Sequence, residues 1–497
     1  MAKRLKFQFI PLTFQKDEDE IKKQIRNTII LKHFFEKNKS VAKLDTLIEG
    51  TQYGYNASAL ESGKNKFLRI SDITDGKVDW DTVPYCDCDN EETYLLYPDD
   101  ILIARTGGTT GKSFMIANPP EHSIYAGYLI RVRANKENEA DFINLFLNSY
   151  VYWSQIVSLN EGEFRPSANA NTLKNLLLPD CSISQQQDAI KLSNGILVSG
   201  YEELLKDIDK ALAEYEICKQ LEIENTKQLN LLSSLRQSIL QEAIQGKLTA
   251  EWREQNPNIE PAAELLKRIK AEKEKLVKEK KIKQEKPLPA ISENEIPFEL
   301  PEGWEWCRLG EIFSSTSGGT PNRANMKYWN GEIQWYKSGE LNDGILEKES
   351  EEKITELGYS ESSATLFPKG TLLIAMYGAT AGKLSILNRD ATTNQAVCGF
   401  FENEKIETKY LFYFLRANRS KMIEDSWGMS QPNISQTYLR NFVFPLPPLS
   451  EQQAIVSKVE TLLGKCNQLQ AEIENLNTHS KDLLKALFNE TFENKTE

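Results

Sequence analysis

Two stretches of the chain place apolar residues in alternating steps of four and three. The first runs from about Gln185 to Leu248. Leu204, Ile208, Ala211, Tyr215 and Cys218 hold the rhythm, and after the polar positions Glu222 and Asn225 it returns at Leu229, Leu232 and Ile239. The second, at the C-terminal end, passes through Ile455, Val459, Leu462, Cys466, Leu469, Ile473, Leu476, Ser480, Leu483 and Leu487. Apolar residues repeating every 3.5 positions form the seam of a coiled coil. At 1.5 Å per residue, about 40 residues make a rod of roughly 60 Å. The expected seam is Leu204, Ile208, Tyr215, Leu232 and Ile239 on one rod and Val459, Leu462, Leu469, Ile473, Leu476 and Leu483 on the other.

Elsewhere the pattern changes. Residues 17–37 read as a short amphipathic helix. Short apolar runs such as Ile101-Leu102-Ile103-Ala104, and the alternation in Leu129-Ile130-Arg131-Val132-Arg133, sit between turn signals and predict strands. One helix is expected among them, carried by Phe142, Leu145, Phe146, Tyr150, Trp153 and Ile156, with a counterpart over Tyr410 to Ile423. The counterpart exists because the segment occurs twice. Leu102-Ile103-Ala104 followed by Gly107-Gly108-Thr109-Thr110-Gly111-Lys112 matches Leu373-Ile374-Ala375 followed by Gly378-Ala379-Thr380-Ala381-Gly382-Lys383. PSANANTLKN from Pro166 matches PNISQTYLRN from Pro432 without a gap. Two copies this long imply two homologous α+β domains, not a solenoid. The expected division is an N-terminal helix and first domain over 1–180, a helical region and charged linker over 181–297, a second domain over 298–448 and a C-terminal helix over 449–497. Since each rod follows one domain, the rods should pair antiparallel, in a pseudo-twofold arrangement with one domain at each end.

Residues 264–286 are nearly all charged and read as a solvated helix or linker before Pro287, Pro289, Pro297 and Pro301. The alternative is a basic arm on DNA phosphates. The 497 residues are 40% apolar and 27% charged, ordinary for a globular chain, with a net charge of −12. No apolar run approaches the roughly 20 residues that span a bilayer, and no signal peptide is read at the N-terminus. Seven scattered cysteines fit a reduced compartment, and three histidines make no metal cluster. The expected location is the cytoplasm of a bacterium or archaeon.

Two motifs, one of them present in both copies, suggest chemistry and fail on inspection. Gly107 to Ser113 lacks the glycine a P-loop needs at position 106, which is Thr. The second copy has Tyr377 there, and Leu384 where a magnesium-binding hydroxyl belongs. The remaining reading of both is a strand followed by a Gly-rich turn, whose amides and Lys112 or Lys383 could meet a phosphate. Asn118-Pro119-Pro120-Glu121 approximates an adenine methyltransferase tetrad, but Glu121 cannot stack on a flipped base. What remains is polar and planar side chains in loops, the types that fit base edges. In the first copy these are Gln52, Tyr53, Asn56, Arg69, Arg105, Thr106, Lys112, Arg165, Asn169 and Asn171. In the second they are Thr320, Lys337, Ser338, Tyr377, Lys383, Asn394, Gln395, Gln431 and Asn433.

The duplication, Gly303-Trp304-Glu305-Trp306 before Leu309-Gly310-Glu311-Ile312, Ser317-Gly318-Gly319-Thr320-Pro321 and Ser238 to Thr249 (SILQEAIQGKLT) together resemble the specificity subunit of type I restriction–modification systems. The resemblance implies two target-recognition domains, each reading half of a bipartite, asymmetric duplex site, on an antiparallel coiled coil that fixes the unread gap. It implies a chain without catalysis or cofactor of its own, two methyltransferase subunits docked on the helices, and motor-nuclease subunits joining them. S-adenosylmethionine, ATP and magnesium would then sit on those partners, and no membrane is involved. A protein adaptor without DNA specificity and, further off, a DNA methyltransferase are the competing expectations.

Overall fold

The computed structural model describes residues 17–74, 76–158, 168–279, 287–428 and 431–492. Two compact units emerge, the first made of 1–225 with 475–497 and the second of 226–474.

In the first unit, helix α1 (Glu18–Asn38) starts where Asp17 accepts hydrogen bonds from the amides of Asp19 and Glu20. Strands β1 (Val41–Lys43), β2 (Ile48–Tyr53), β3 (Asn65–Leu68), β4 (Ile73–Thr74), β5 (Lys77–Val78), β6 (Tyr85–Cys86), β7 (Ile101–Ala104), β8 (Ser113–Met115), β9 (Ser123–Tyr125) and β10 (Leu129–Ala134) follow. Helices α2 (Ala140–Leu147), α3 (Tyr150–Ser158) and α4 (Ala170–Lys174), strand β11 (Leu177–Pro179) and helix α5 (Ile183–Ser193) complete the domain. Helix α6 (Glu202–Ile244) then runs into the second unit. The sheet orders are β2-β10-β7-β8, β6-β3-β9, β1-β11 and β4-β5.

The second unit continues with α7 (Ala250–Gln255) and α8 (Ala262–Lys278), then β12 (Glu305–Arg308), α9 (Leu309–Ile312), β13 (Ser315–Ser317), β14 (Trp329–Tyr336), β15 (Gly344–Leu346), β16 (Glu352–Ile354) and α10 (Glu356–Ser360). Next come β17 (Leu372–Ala375), β18 (Leu384–Leu387), β19 (Thr392–Thr393), β20 (Val397–Phe400), α11 (Thr408–Ala417) and α12 (Arg419–Asp425). The strand pair β21 (Trp427–Gly428) and β22 (Gln431–Pro432), then α13 (Gln436–Asn441), β23 (Val443–Leu446) and α14 (Leu449–Phe492), end the chain. The orders β13-β20-β17-β18-β15, β16-β14-β19 and β12-β23 repeat β2-β10-β7-β8, β6-β3-β9 and β1-β11, with β15 added at one edge. Strands β7 and β17 (ILIA and LLIA) are buried along their whole length, as central strands rich in unbroken apolar residues should be.

The single helix expected in each domain is two. Asn148 ends α2 by donating through Nδ2 to Asn144 O, and Ser149 Oγ caps α3 by accepting from Tyr152 N. Asn418 breaks the second copy by the same bond to Phe414 O. These short polar side chains compete with the helical backbone for its carbonyls, which apolar spacing does not register. Part of the charged segment is also more than a linker. Leu265, Leu266 and Ile269 of α8 are buried in the second unit's core, and Lys273 Nζ donates to Gly310 O at 2.7 Å. Residues 280–286 lie outside the described set.

Within each unit α6 and α14 run antiparallel. In the second, Arg236 donates to Asn467 and Gln470 while Thr249, further along, donates to Glu451. In the first, Ser480 Oγ donates to Cys218 O, and Leu484 packs on the cluster holding Ala211 and Tyr215. Leu204, Ile208 and Tyr215 are buried in the first unit's core, Leu232, Ile239, Val459 and Ile473 are buried in the second unit's, and Leu462 packs partly against the latter. Leu469, Leu476 and Leu483 do not belong to the seam. They are 47%, 56% and 56% exposed. Val459, Cys466, Ile473 and Ser480 form one seam row, and its companion lies four residues on, at Leu463, Gln470, Asn477 and Leu484, not three. A step of four residues leaves the helix face about 40° away, a step of three about 60° the other way. The physical reason is Arg236, which occupies a seam position of α6 and draws Gln470 Oε1 inward to 2.7 Å. Arg236 is half-buried, so losing its Gln470 and Asn467 acceptors would cost hydrogen bonds to a charged group, whereas a single leucine facing water is ordinary.

Candidate nucleic-acid interface

The two domains build the same loop frame from matching backbone hydrogen bonds. In the first, Gly54 N donates to Leu129 O at 3.1 Å, Tyr55 N to Tyr125 O at 2.8 Å, Ala126 N to Leu68 O at 2.9 Å and Arg105 N to Tyr128 O at 3.0 Å. In the second, Gly318 N donates to Val397 O at 2.9 Å, Gly319 N to Thr393 O at 2.9 Å, Asn394 N to Tyr336 O at 3.0 Å and Met376 N to Ala396 O at 2.7 Å. The turn 126–129 corresponds to 394–397, and each is closed by an amide of its last residue on a carbonyl of its first, at 2.9 and 3.2 Å. Gly54 and Gly318 have no room for a Cβ against the facing turn. The Gly-rich segments also coincide. Gly107 and Gly378, then Gly111 and Gly382, all take positive φ, and the Gly111 and Gly382 amides donate to Ala104 O and Ala375 O at 2.7 and 2.8 Å. They are hairpin turns joining β7 to β8 and β17 to β18, not phosphate cradles opening a helix.

Four segments therefore converge in each unit: the end of the first sheet strand, the turn after the central strand, the turn before the next, and the residues preceding a short helix. In the first unit the Arg105 guanidinium lies 4.9 Å from the Tyr53 ring centroid, and the Tyr53 hydroxyl accepts from Ala170 N at 3.1 Å. Asn56 packs against Gly127. Thr106 is exposed beside Arg105. Asn169 caps α4, accepting from Thr172 N at 2.8 Å, so its oxygen is engaged, while Asn171 stays exposed. Gln52 alternates with Tyr53 along β2 and so faces the other side of the sheet, its Nε2 on Tyr53 O. Arg165 lies outside the described residues.

In the second unit Thr320 Oγ1 donates to Gln395 Oε1, and Tyr377 pairs with Asn433 in an isolated bridge. The Asn394 Oδ1 is buried without a hydrogen-bond partner among the described residues. The backbone of Gln431 lies in β22, and its side chain is outside the described set. Lys112 and Lys383 occupy matching half-buried places at the base of the Gly-rich turns.

Arg69 and Lys337 also correspond, each opening a one-turn 3-10 helix whose third residue, Asp72 or Glu340, accepts from its amide. Both cations are already paired. Arg69 is forked onto Asp72 at 3.0 and 2.7 Å, and its pKa is raised by those bonds. Lys337 donates to Glu351 at 2.6 Å with Glu352 close by, which raises its pKa. Ser338 sits in the same turn. Arg105, by contrast, forms no ion pair with a described carboxylate. Tyr128 was missed in the sequence. It is 65% exposed at the tip of the turn 126–129, and only the register of that turn against Arg105 reveals it.

Among the described residues no group of His, Cys, Asp and Glu could hold a metal ion, and no helix is long and apolar enough to cross a membrane. Residues 301–477 match the family model described as Type I restriction modification DNA specificity domain. The Type I restriction enzyme EcoEI specificity subunit of Escherichia coli is 32% identical over 283 residues, which cover 52% of this chain and 44% of that one. The EcoAI specificity subunit of Escherichia coli is 34% identical over 267 residues, with the same shares covered. The chain thus spans about half the length of these curated relatives. A solved structure described as "Structural basis underlying complex assembly and conformational transition of the type I R-M system" shares the fold at a TM-score of 0.54, with 18% identity, over 92% of this chain and 98% of that one. The chain is therefore similar to type I restriction enzyme specificity subunits, and its residues 301–477 match the type I restriction modification DNA specificity domain.

Proposed function

We propose that the chain is the DNA-specificity subunit of a type I restriction–modification complex, non-catalytic by itself, with target-recognition domains at 1–180 and 298–448 that each read one half of a bipartite duplex site. The observation that carries this reading is one backbone frame presenting different side chains: Arg105 against Met376, Thr106 against Tyr377, Gly127 against Gln395. A fixed frame with varied tips is what two readers of different sequences need, because backbone contacts position a protein while side chains on base edges specify.

The rods supply docking for two methyltransferase subunits. Leu469, Leu476 and Leu483 on α14, and Ile217, Leu221, Leu231 and Leu235 on α6, leave apolar side chains exposed. Exposed apolar rows on helices are surfaces for partner proteins. S-adenosylmethionine on those subunits, and ATP and magnesium on the motor-nuclease subunits, then supply the chemistry. With a net charge of −12 the chain offers DNA little net attraction. The methyltransferase subunits supply much of the positive surface.

Exchanging residues 41–180 for those of a relative, within the assembled complex, tests the reading. One half of the methylated sequence changes and the other stays. A change in both halves, or in neither, overturns it.

A further inference from the structure

Side by side, the two loop frames differ in where they place an exposed aromatic ring. Tyr128 in the first unit is the third residue of the turn 126–129 and 65% exposed. Its counterpart in the second unit is Ala396, matched by the bonds from Arg105 N to Tyr128 O and from Met376 N to Ala396 O. The second unit instead places Tyr377, 40% exposed, one residue past Met376, where the first unit has Thr106. Each frame thus offers an exposed tyrosine beside the same converging segments, from opposite arms. Tyr53 is also near the surface, but its ring lies under Arg105 and its hydroxyl is held by Ala170.

Both tyrosines sit on backbone that cannot shift easily. Tyr128 is fixed through its carbonyl, and neither Gly127 in its own turn nor Gly54 facing that turn has space for a Cβ. Tyr377 is held by its bridge to Asn433 and by Ile434 N donating to Met376 O at 2.9 Å. A tyrosine has only two side-chain torsions to immobilise, and combines an apolar ring with a hydroxyl that both donates and accepts. Such a ring suits a DNA groove, where it can meet a thymine methyl or wedge at a base step while the hydroxyl meets a base edge.

We infer that Tyr128 and Tyr377 are specificity-determining residues, one for each half-site, contacting base edges from opposite arms of the same frame. This rests on the proposed reading of the chain as a DNA-specificity subunit. Placing the aromatic on a different arm lets two domains of one fold reach different base positions.

The test is selection from random duplexes by the complex assembled with its methyltransferase subunits, for wild type, Tyr128→Ala, Tyr128→Phe, Tyr377→Ala and Tyr377→Phe. Each alanine variant relaxes one or two base positions in a single half-site and lowers affinity for the wild-type site by about 5- to 100-fold, the range for loss of one good base contact. Non-specific affinity stays within about twofold. The phenylalanine variants separate the hydroxyl's part from the ring's. A wild-type complex that selects a bipartite sequence, with all four variants selecting the same one, overturns this inference and leaves the proposed function standing. Loss of both halves in one variant, with a lowered melting temperature, assigns that tyrosine a structural role and also overturns it. A wild-type complex that selects nothing removes both.

Discussion

Replacing Ile473 by alanine and, separately, Leu469 by alanine distinguishes the observed rod seam from the one that leucine spacing suggests. Both residues lie on α14 within the second unit, four positions apart. Ile473 is 8% exposed and joins the cluster that holds Leu232 and Ile239, whereas Leu469 is nearly half exposed. Isoleucine-to-alanine changes in cores cost about 2–5 kcal/mol. A two-helix seam is open to water along its flanks, so the lower part of that range applies, about 2–3 kcal/mol. Surface substitutions stay within about 0.5 kcal/mol, and alanine is a good helix former. For a unit of this size, about 2–4 °C of melting temperature follows each kcal/mol. Ile473→Ala should therefore melt about 4–12 °C below wild type, and Leu469→Ala within about 2 °C of it, by calorimetry at one protein concentration. A charged residue at position 473 would bury an unpaired charge, but at 469 it would not. If Leu469→Ala costs as much as Ile473→Ala, the seam runs through 462, 469, 476 and 483 and the Arg236–Gln470 explanation is wrong.

Two further outcomes follow from single contacts. Glu295 accepts from Arg308 at 2.9 and 3.0 Å and from the Ser292 amide and hydroxyl, which hold its pKa down at about 2. A carboxylate depressed in the folded state stabilises above its unfolded pKa, near 4.3. The melting gap between wild type and Glu295→Gln should be full at neutral pH and shrink from about pH 4.3 toward 2. A gap constant across that window contradicts the pairing. At the interface, Arg105→Gln, which takes one positive charge off the DNA-facing loops, should reduce the salt slope of complex binding to duplex by up to about 1. Arg69→Gln should leave the slope unchanged, because Arg69 is committed to Asp72. Equal slopes for both variants would remove the distinction.

Much of this architecture was legible because repetition makes weak signals strong. Ile101 to Ala104 alone is an ambiguous apolar run, but with Leu372 to Ala375 and the same Gly-rich turn behind each it predicts a central strand and its hairpin. The helix breaks at Asn148 and Asn418 were not legible, since both sit inside uninterrupted apolar spacing and act through their amides. The seam was half legible. Val459 and Ile473 follow the heptad, but the second row was decided by a polar residue across the interface, and no rule that ranks leucine above glutamine finds Gln470. At the candidate interface, loop composition singled out Tyr53, Arg105 and Tyr377 as candidates. It could not separate the open Arg105 from the paired Arg69 and Lys337, because their acidic partners lie in turns whose geometry only the fold supplies.

The most direct test of the proposed function is selection of random-sequence duplexes by this chain assembled with the methyltransferase subunits proposed as its partners, read out by sequencing the bound DNA. The expected result is enrichment of two short, different sequence blocks separated by a fixed number of unconstrained base pairs. Enrichment of one block only, a palindrome, or no sequence at all would contradict it.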